Sequence, residues 1–197
     1  MNILSNSIIC LITGIICSYF VWWFLWRVIV PKISFSEKIS KIPQEANAGH
    51  YVYRIKYRNS GSRNIVDVNV IIRLSIKGLF KNRKGTWKII HLETESESKF
   101  KPILKPKKKG GNLIVLDINN TPFFSETIVP ENIREKHKDK TLTLEDVFEI
   151  SDRVKLEIVI MGYDEFSGAR KVFTSKEYTT SDIGNKIFEA NSLELEK

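Results

Sequence analysis

The side chains of this 197-residue chain whose types and spacing could do chemistry are mostly cations. Arg27, Lys32 and Lys38 follow one another just after a long apolar run, and Lys105 to Lys109 is a basic stretch interrupted only by Pro106 and followed by Gly110 and Gly111. Lys plus Arg number 31 against 23 acidic residues, a net charge of +8, and such an excess attracts nucleic acid, anionic lipid or a phosphorylated small ligand. On pattern alone the 105–109 run matches a nucleic-acid patch. No stacking aromatics interleave with it, so nucleic acid is disfavoured and an exposed basic hairpin loop, with Lys107 and Lys108 at its centre, is the better reading. Catalytic chemistry would need convergent groups, and none stand out. His50, His91 and His137 are isolated, and no nucleophile elbow, phosphate-binding loop or dinucleotide fingerprint occurs. Glu93, Glu95 and Glu97 would share one face of an extended segment, yet no further ligands accompany them, so a solvated strand face is expected rather than a hard-cation site. The expectation is therefore a non-enzymatic chain without metal or cofactor, an enzyme with a non-motif active site being the competing case.

The element that must position the first cations is the apolar run itself. Ile3 to Trp26 contains no charged residue and ends at Arg27 and Pro31. As a helix these roughly 24 residues extend about 36 Å, enough to cross a hydrocarbon layer about 30 Å thick. A cleaved signal would need a basic leading region, a shorter apolar core and a small-residue cleavage site, none of which is present. Trp22, Trp23 and Trp26 crowd the end where an aromatic belt belongs. No Lys or Arg precedes the run while Arg27, Lys32, Lys38 and Lys41 follow it, which predicts a single-pass membrane protein with its C-terminal domain in the cytoplasm. Cys10 and Cys17 both lie in the span, so the remainder can form no internal disulfide, as suits a reducing compartment. Ser7, Cys10, Gly14, Cys17 and Ser18 recur at three- and four-residue spacing, a small-residue face that lets helices approach closely. Self-association through that face is expected, against the alternative of a lipid-facing helix with incidental small residues.

Residues 31–49 read as a juxtamembrane linker, 50–190 as one β-domain and 191–197 as a tail. Tyr51, Tyr53, Ile55 and Tyr57 alternate with Val52, Arg54, Lys56 and Arg58, which predicts a half-buried strand; Asn59, Ser60 and Gly61 predict a turn. Val66, Val68, Val70, Ile72, Leu74 and Ile76 then line one face of a second strand, and the two are expected to form a hairpin. Further strands are expected at Thr86–Glu93, Asn112–Ile118, Val154–Met161 and Lys171–Thr179. Helix is scarce: Pro130 could open a turn through Ile133 and Lys136, and Thr143 with Asp146 has capping-box spacing. The fold class is mainly β, an immunoglobulin-like antiparallel β-sandwich preceded by one N-terminal transmembrane helix.

The motifs in order also resemble a known family. Arg27, Pro31, Lys32, Phe35 and Ser36, then Tyr53, Arg54, Tyr57, Arg58 and Asn59, then Ile65 to Val68, Val70, Arg73 and Leu74, are similar to the end of the inner helix and the cytoplasmic domain of inward-rectifier potassium channels. Ile118 to Phe123 and Gly168, Arg170, Tyr178, Asp182, Ile183 and Phe188 continue the likeness, which spans most of the chain after the helix. The resemblance implies an immunoglobulin-like domain, a tetramer, and Lys32 at the family's phosphoinositide-binding position. The chain departs from the family in having no first transmembrane helix, pore helix or Thr-x-Gly-Tyr-Gly filter. Its one Gly-Tyr pair, Gly162 and Tyr163, ends a strand, so a selective potassium channel built of this chain alone is excluded. The expected function is ligand sensing: an oligomeric membrane protein that couples an anionic lipid headgroup or a nucleotide to its helices, a design suited to a membrane-perturbing defence effector. An adaptor recruiting a protein through its sandwich is the alternative.

Overall fold

The structure, a computed structural model, describes residues 3–27, 30–44, 50–79, 85–94, 96–118, 142–151 and 153–196. Helix α1 (Ile3–Arg27) is followed by strands β1 (Ile33–Phe35), β2 (Ile39–Pro43), β3 (Tyr51–Asn59), β4 (Ile65–Lys77) and β5 (Trp87–Thr94). A single turn of helix α2 (Ser96–Lys99) leads to β6 (Phe100–Leu104) and β7 (Asn112–Asp117). Helix α3 (Leu144–Phe148), β8 (Val154–Asp164), β9 (Arg170–Thr174), a 3-10 turn (Thr180–Asp182) and β10 (Ile183–Gly184) complete the order. Asn6–Leu25 of α1, with mean hydropathy 2.2 and no part buried against the chain, is long and apolar enough to cross a membrane.

The chain is mainly β, as its alternating patterns require, and its strands form one curled sheet in the order β10-β2-β3-β7-β5-β4-β8-β9, with β1 beside β3 and β6 beside β4. The curl is made by β5, whose first part pairs with β4 (Lys77 opposite Trp87 to Ile72 opposite Leu92) while Glu93 and Thr94 pair with β7. Two layers result, enclosing one core. Tyr53, Ile55, Tyr57, Ile114 and Leu116 from the first meet Val68, Val70, Ile72, Leu74, Leu156 and Ile158 from the second. Each such aliphatic side chain contributes about 1.5–3 kcal/mol by burial. All pairs of the named strands are antiparallel except β10 with β2, where the chain returns in parallel and makes the sheet mixed.

The expected hairpin does not form. β3 pairs with β1, β2 and β7, whereas β4 pairs with β5, β6 and β8, so the two strands belong to different layers. Two apolar faces can satisfy each other across a core as well as along an edge, and alternation alone does not say which. The turn after β3 is the crossing. Asn59 is fully buried at its start, donating from Nδ2 to the carbonyls of Arg63 (2.7 Å) and Leu104 (3.1 Å) and accepting the Gly61 amide at Oδ1 (3.0 Å).

A second difference lies at the start of β4, where Ile65 rather than Val66 is buried. Its pairing with β8 slips between Val66 and Asn69, and Asp67 there has φ of 51°. One extra residue in a strand reverses which side chains face inward, and Asp tolerates the left-handed conformation better than branched residues do. Gly162 lies opposite: a Cβ on it would come within 2.6 Å of Ile65 Cγ2 and 2.9 Å of the Val66 carbonyl. The Gly-Tyr pair thus accommodates a bulge.

Residues 33–35 and 39–43 of the expected linker are part of the sheet, since β1 and β2 pair with β3 and β2 also pairs with β10. Residues 191–196 also fold back, with Glu189 bonded to Glu194, Glu196 to Ile187, and Phe188 bridged to Leu195. The expected strand at Lys171–Thr179 stops at Thr174, where Ser175 Oγ accepts the Ile158 amide at 2.9 Å and turns the chain. The capping box is present: Thr143 Oγ1 accepts the Asp146 amide and Asp146 accepts the Thr143 amide, both at 3.1 Å. The Pro130–Lys136 turn lies outside the described residues. Glu97 sits in α2, so it leaves the extended face shared with Glu93, and Glu95 is outside the described residues.

Tyr53 and Tyr57 are equally buried but differ in satisfaction. Tyr53 Oη donates to Glu145 (2.6 Å) and accepts the Leu144 amide (3.1 Å), anchoring α3, while Tyr57 Oη is buried without a partner and its pKa is pushed up to about 12 by burial. Removing a satisfied hydroxyl orphans its partners, whereas removing an orphan relieves a desolvation cost. Denaturant unfolding of the detergent-solubilised chain, followed by circular dichroism, should show Tyr53→Phe destabilised by about 1–2 kcal/mol and Tyr57→Phe unchanged or more stable. Asn59→Ala, which strands two carbonyls and an amide, should cost about 2–3 kcal/mol.

Candidate anion-binding surface

The cations singled out in the sequence divide into two groups. Where the chain enters the domain, Val30 and Lys32 are tied to the crossing turn by backbone bonds: the amides of Ser60 (2.8 Å) and Gly61 (3.3 Å) both reach the Lys32 carbonyl, and the Ser62 amide reaches that of Val30 (3.4 Å). Gly61 permits this approach, since a Cβ on it would overlap the Lys32 amide and the Val30 carbonyl. Ile33 then pairs with Asn59.

The 105–109 loop arrives at the same place from the other side. Pro106 bridges to Asn59, the Lys107 amide donates to the Asn59 carbonyl (2.8 Å), and Arg58 Nη1 donates to the Lys108 carbonyl (3.1 Å). Lys32, Lys105, Lys107, Lys108 and Lys109 are all exposed, so residues some 75 positions apart in the chain form one basic end. The β8–β9 turn joins this end through Arg63, which pairs with Asp164 (3.3 Å) and stacks on Phe166 (4.2 Å to the ring centroid). Asp164 is thereby consumed. Burial opposes its ionisation, but Ser167, the Phe166 amide and Arg63 outweigh that and hold its pKa below the usual range.

Lys38 is placed elsewhere. Its Nζ donates to the Ser181 carbonyl (2.8 Å) and lies 3.7 Å from Asp182, which also binds Lys176 (2.9 Å), itself 3.4 Å from Glu37. This chain of pairs closes the 3-10 turn onto the start of β2. Arg27 is the last residue of α1, and its side chain is not among those described. On the helix Ser7, Cys10, Gly14, Cys17 and Ser18 are all exposed, and a Cβ on Gly14 would meet nothing within 4 Å.

Sequence reasoning missed a further feature on the outer face of the first layer. Cross-strand neighbours Ser40 and Arg54, and Lys56 and Leu113, point away from the core and floor a groove of about 340 Å³, walled by Ile187, Phe188 and Ala190. The signal for it was the alternation of Arg54, Lys56 and Arg58 along β3, but the C-terminal segment that returns over that face is distant in sequence.

No protein-family model matches the chain, and neither does any curated protein.

The paired acids set the pH response. Burial raises the pKa of Asp182, but Lys176, the Thr179 amide and Lys38 outweigh it and leave it depressed; Glu145 is likewise depressed by Lys41 and Tyr53 against burial. A depressed carboxyl stabilises the fold above its unfolded pKa and loses that contribution as pH falls through its folded value. The melting temperature should therefore be flat from about pH 8 to 5 and fall below about pH 4. Asp182→Asn should lower the plateau and shallow the acid limb.

Proposed function

We propose that this chain is a single-pass, membrane-anchored, non-enzymatic sensing protein whose β-domain faces the cytoplasm and whose basic end binds an anionic headgroup or nucleotide beside its own membrane helix. The observation that carries this reading is the meeting of Lys32 with the Lys107–Lys108 loop around Asn59. Three residue steps from Arg27 to Val30 span at most about 11 Å, so the basic end stays within a headgroup layer's reach of the helix terminus. Basic residues near an anionic leaflet each gain about 1 kcal/mol of attraction, and several converging on one point can discriminate among headgroups rather than respond to charge alone. Ligand at this end bears directly on the Val30–Lys32 backbone and hence on the helix. The open small-residue face supports helix association, and the likeness to a tetrameric channel family supports a four-fold assembly. Such an assembly suits an effector that perturbs a membrane when its ligand appears. The adaptor reading draws on the exposed Phe100, Ile103 and Val172 on the outer face of the second layer.

Native mass spectrometry of the full chain in mixed micelles of charge-matched anionic lipids tests the site. Selective retention of one headgroup, reduced several-fold by Lys32→Gln and by Lys107→Gln with Lys108→Gln, is expected; equal retention of all headgroups would leave only a nonspecific basic surface. In light scattering the chain should be oligomeric and Gly14→Leu should shift it toward monomer, while a monomeric wild type would contradict the assembly. A C-terminal reporter active only outside the cytoplasm would sink the topology.

A further inference from the structure

We infer that the groove between the outer face of β2, β3 and β7 and residues 187–190 is a second anion site, which takes a phosphomonoester carried on a compact apolar body. Among the described residues no carboxylate pairs with the cations that line it. Among the described residues Arg54 makes no ion pair, and its Nε is buried without a hydrogen-bond partner. Lys56 is only 5% exposed, yet its Nζ is met by two carbonyls, Glu189 (2.6 Å) and Ala190 (3.1 Å), with no salt-bridged carboxylate. Carbonyl dipoles offset part of the cost of burying an ammonium, and an unpaired buried charge remains expensive. Burial first, and then repulsion from Arg58, lower the Lys56 pKa, with Glu189 acting weakly the other way, so an arriving anion would relieve a standing penalty.

The geometry selects among anions. Arg54 and Lys56 occupy alternate positions of one strand, so their backbones are about 7 Å apart on the same face. A dianionic tetrahedral group can be shared across that gap, with the guanidinium offering a fork and the ammonium a point charge, whereas a monocarboxylate satisfies one cation. Ser40, whose Oγ donates to the Lys186 carbonyl, and Gly111 also line the groove, and the rest is Ile42, Leu113, Ile187, Phe188 and Ala190, which suits an apolar or planar body and gains nothing from inorganic phosphate. A volume of about 340 Å³ is near the lower end of small-molecule sites and is too small for a folded macromolecular partner. The groove is separate from the basic end: it opens on the sheet face and is walled by the C-terminal segment, so occupancy should order residues 186–196.

Calorimetric titration of the full chain in an uncharged detergent, using phenyl phosphate, inorganic phosphate and dihexanoyl phosphatidic acid, tests this. Phenyl phosphate should bind at least ten-fold more tightly than inorganic phosphate and slow amide exchange across 186–196. Arg54→Gln should weaken it at least ten-fold, and so should Leu113→Trp, which fills the groove without altering charge and guards against a folding defect in the first variant. Lys107→Gln with Lys108→Gln should leave it unchanged, which separates this site from the headgroup site proposed above. Binding of the phosphatidic acid that is also lost in Arg54→Gln would keep the site and assign its source to lipid. No binding of either organic phosphate, equal affinity for inorganic phosphate, or loss only in the Lys107, Lys108 variant would overturn the inference.

Discussion

The fold depends on one crossing. After β3 the chain must pass from the first layer to the second, and Asn59, without exposure to solvent, holds that passage with bonds to Arg63, Leu104 and Gly61. Because Leu104 ends β6, the same side chain ties the 105–109 loop to the turn. Because Gly61 touches the Val30–Lys32 backbone, it ties the entry from the helix there too. A buried amide with every bond met rigidifies its surroundings, while one partly met is costly. The basic end is therefore a by-product of the constraint that lets the sheet curl around a single core.

Polar clamps elsewhere hold the periphery against that core. Tyr178 Oη donates to the Ser36 carbonyl at 2.6 Å, and the neighbouring Lys38, Asp182, Lys176 and Glu37 chain fastens the 3-10 turn to the entry strands. Tyr53, Glu145 and Lys41 do the same for α3. Most of these ions are partly exposed, so each pair contributes modestly, and their effect is to fix which edges meet rather than to drive folding. Glu37, Glu145 and Asp182 are the acids of these clamps. Among the described residues, no carboxylate pairs with the lysines of the 105–109 loop or with Arg54 and Lys56 of the groove, so positive charge is left uncompensated there.

The sequence by itself determined the apolar span, the predominance of strands, the inward positions of Tyr53, Ile55 and Tyr57 though not of Tyr51, which is exposed at the start of β3, and the capping box at Thr143, because each follows from local spacing: length, a period of two, or a reciprocal bond three residues apart. It also singled out both basic stretches as potential anion binders. It did not show that Lys32 and Lys107 share an end while Lys38 is engaged by Asp182, since that depends on pairing between strands distant in the chain. Only the tertiary structure decided that β3 and β4 lie in opposite layers, that Asp67 reverses the first residues of β4, and that residues 187–190 return over Arg54 and Lys56. Alternation specifies which face of a strand is buried but not what covers it, and long-range packing makes that choice.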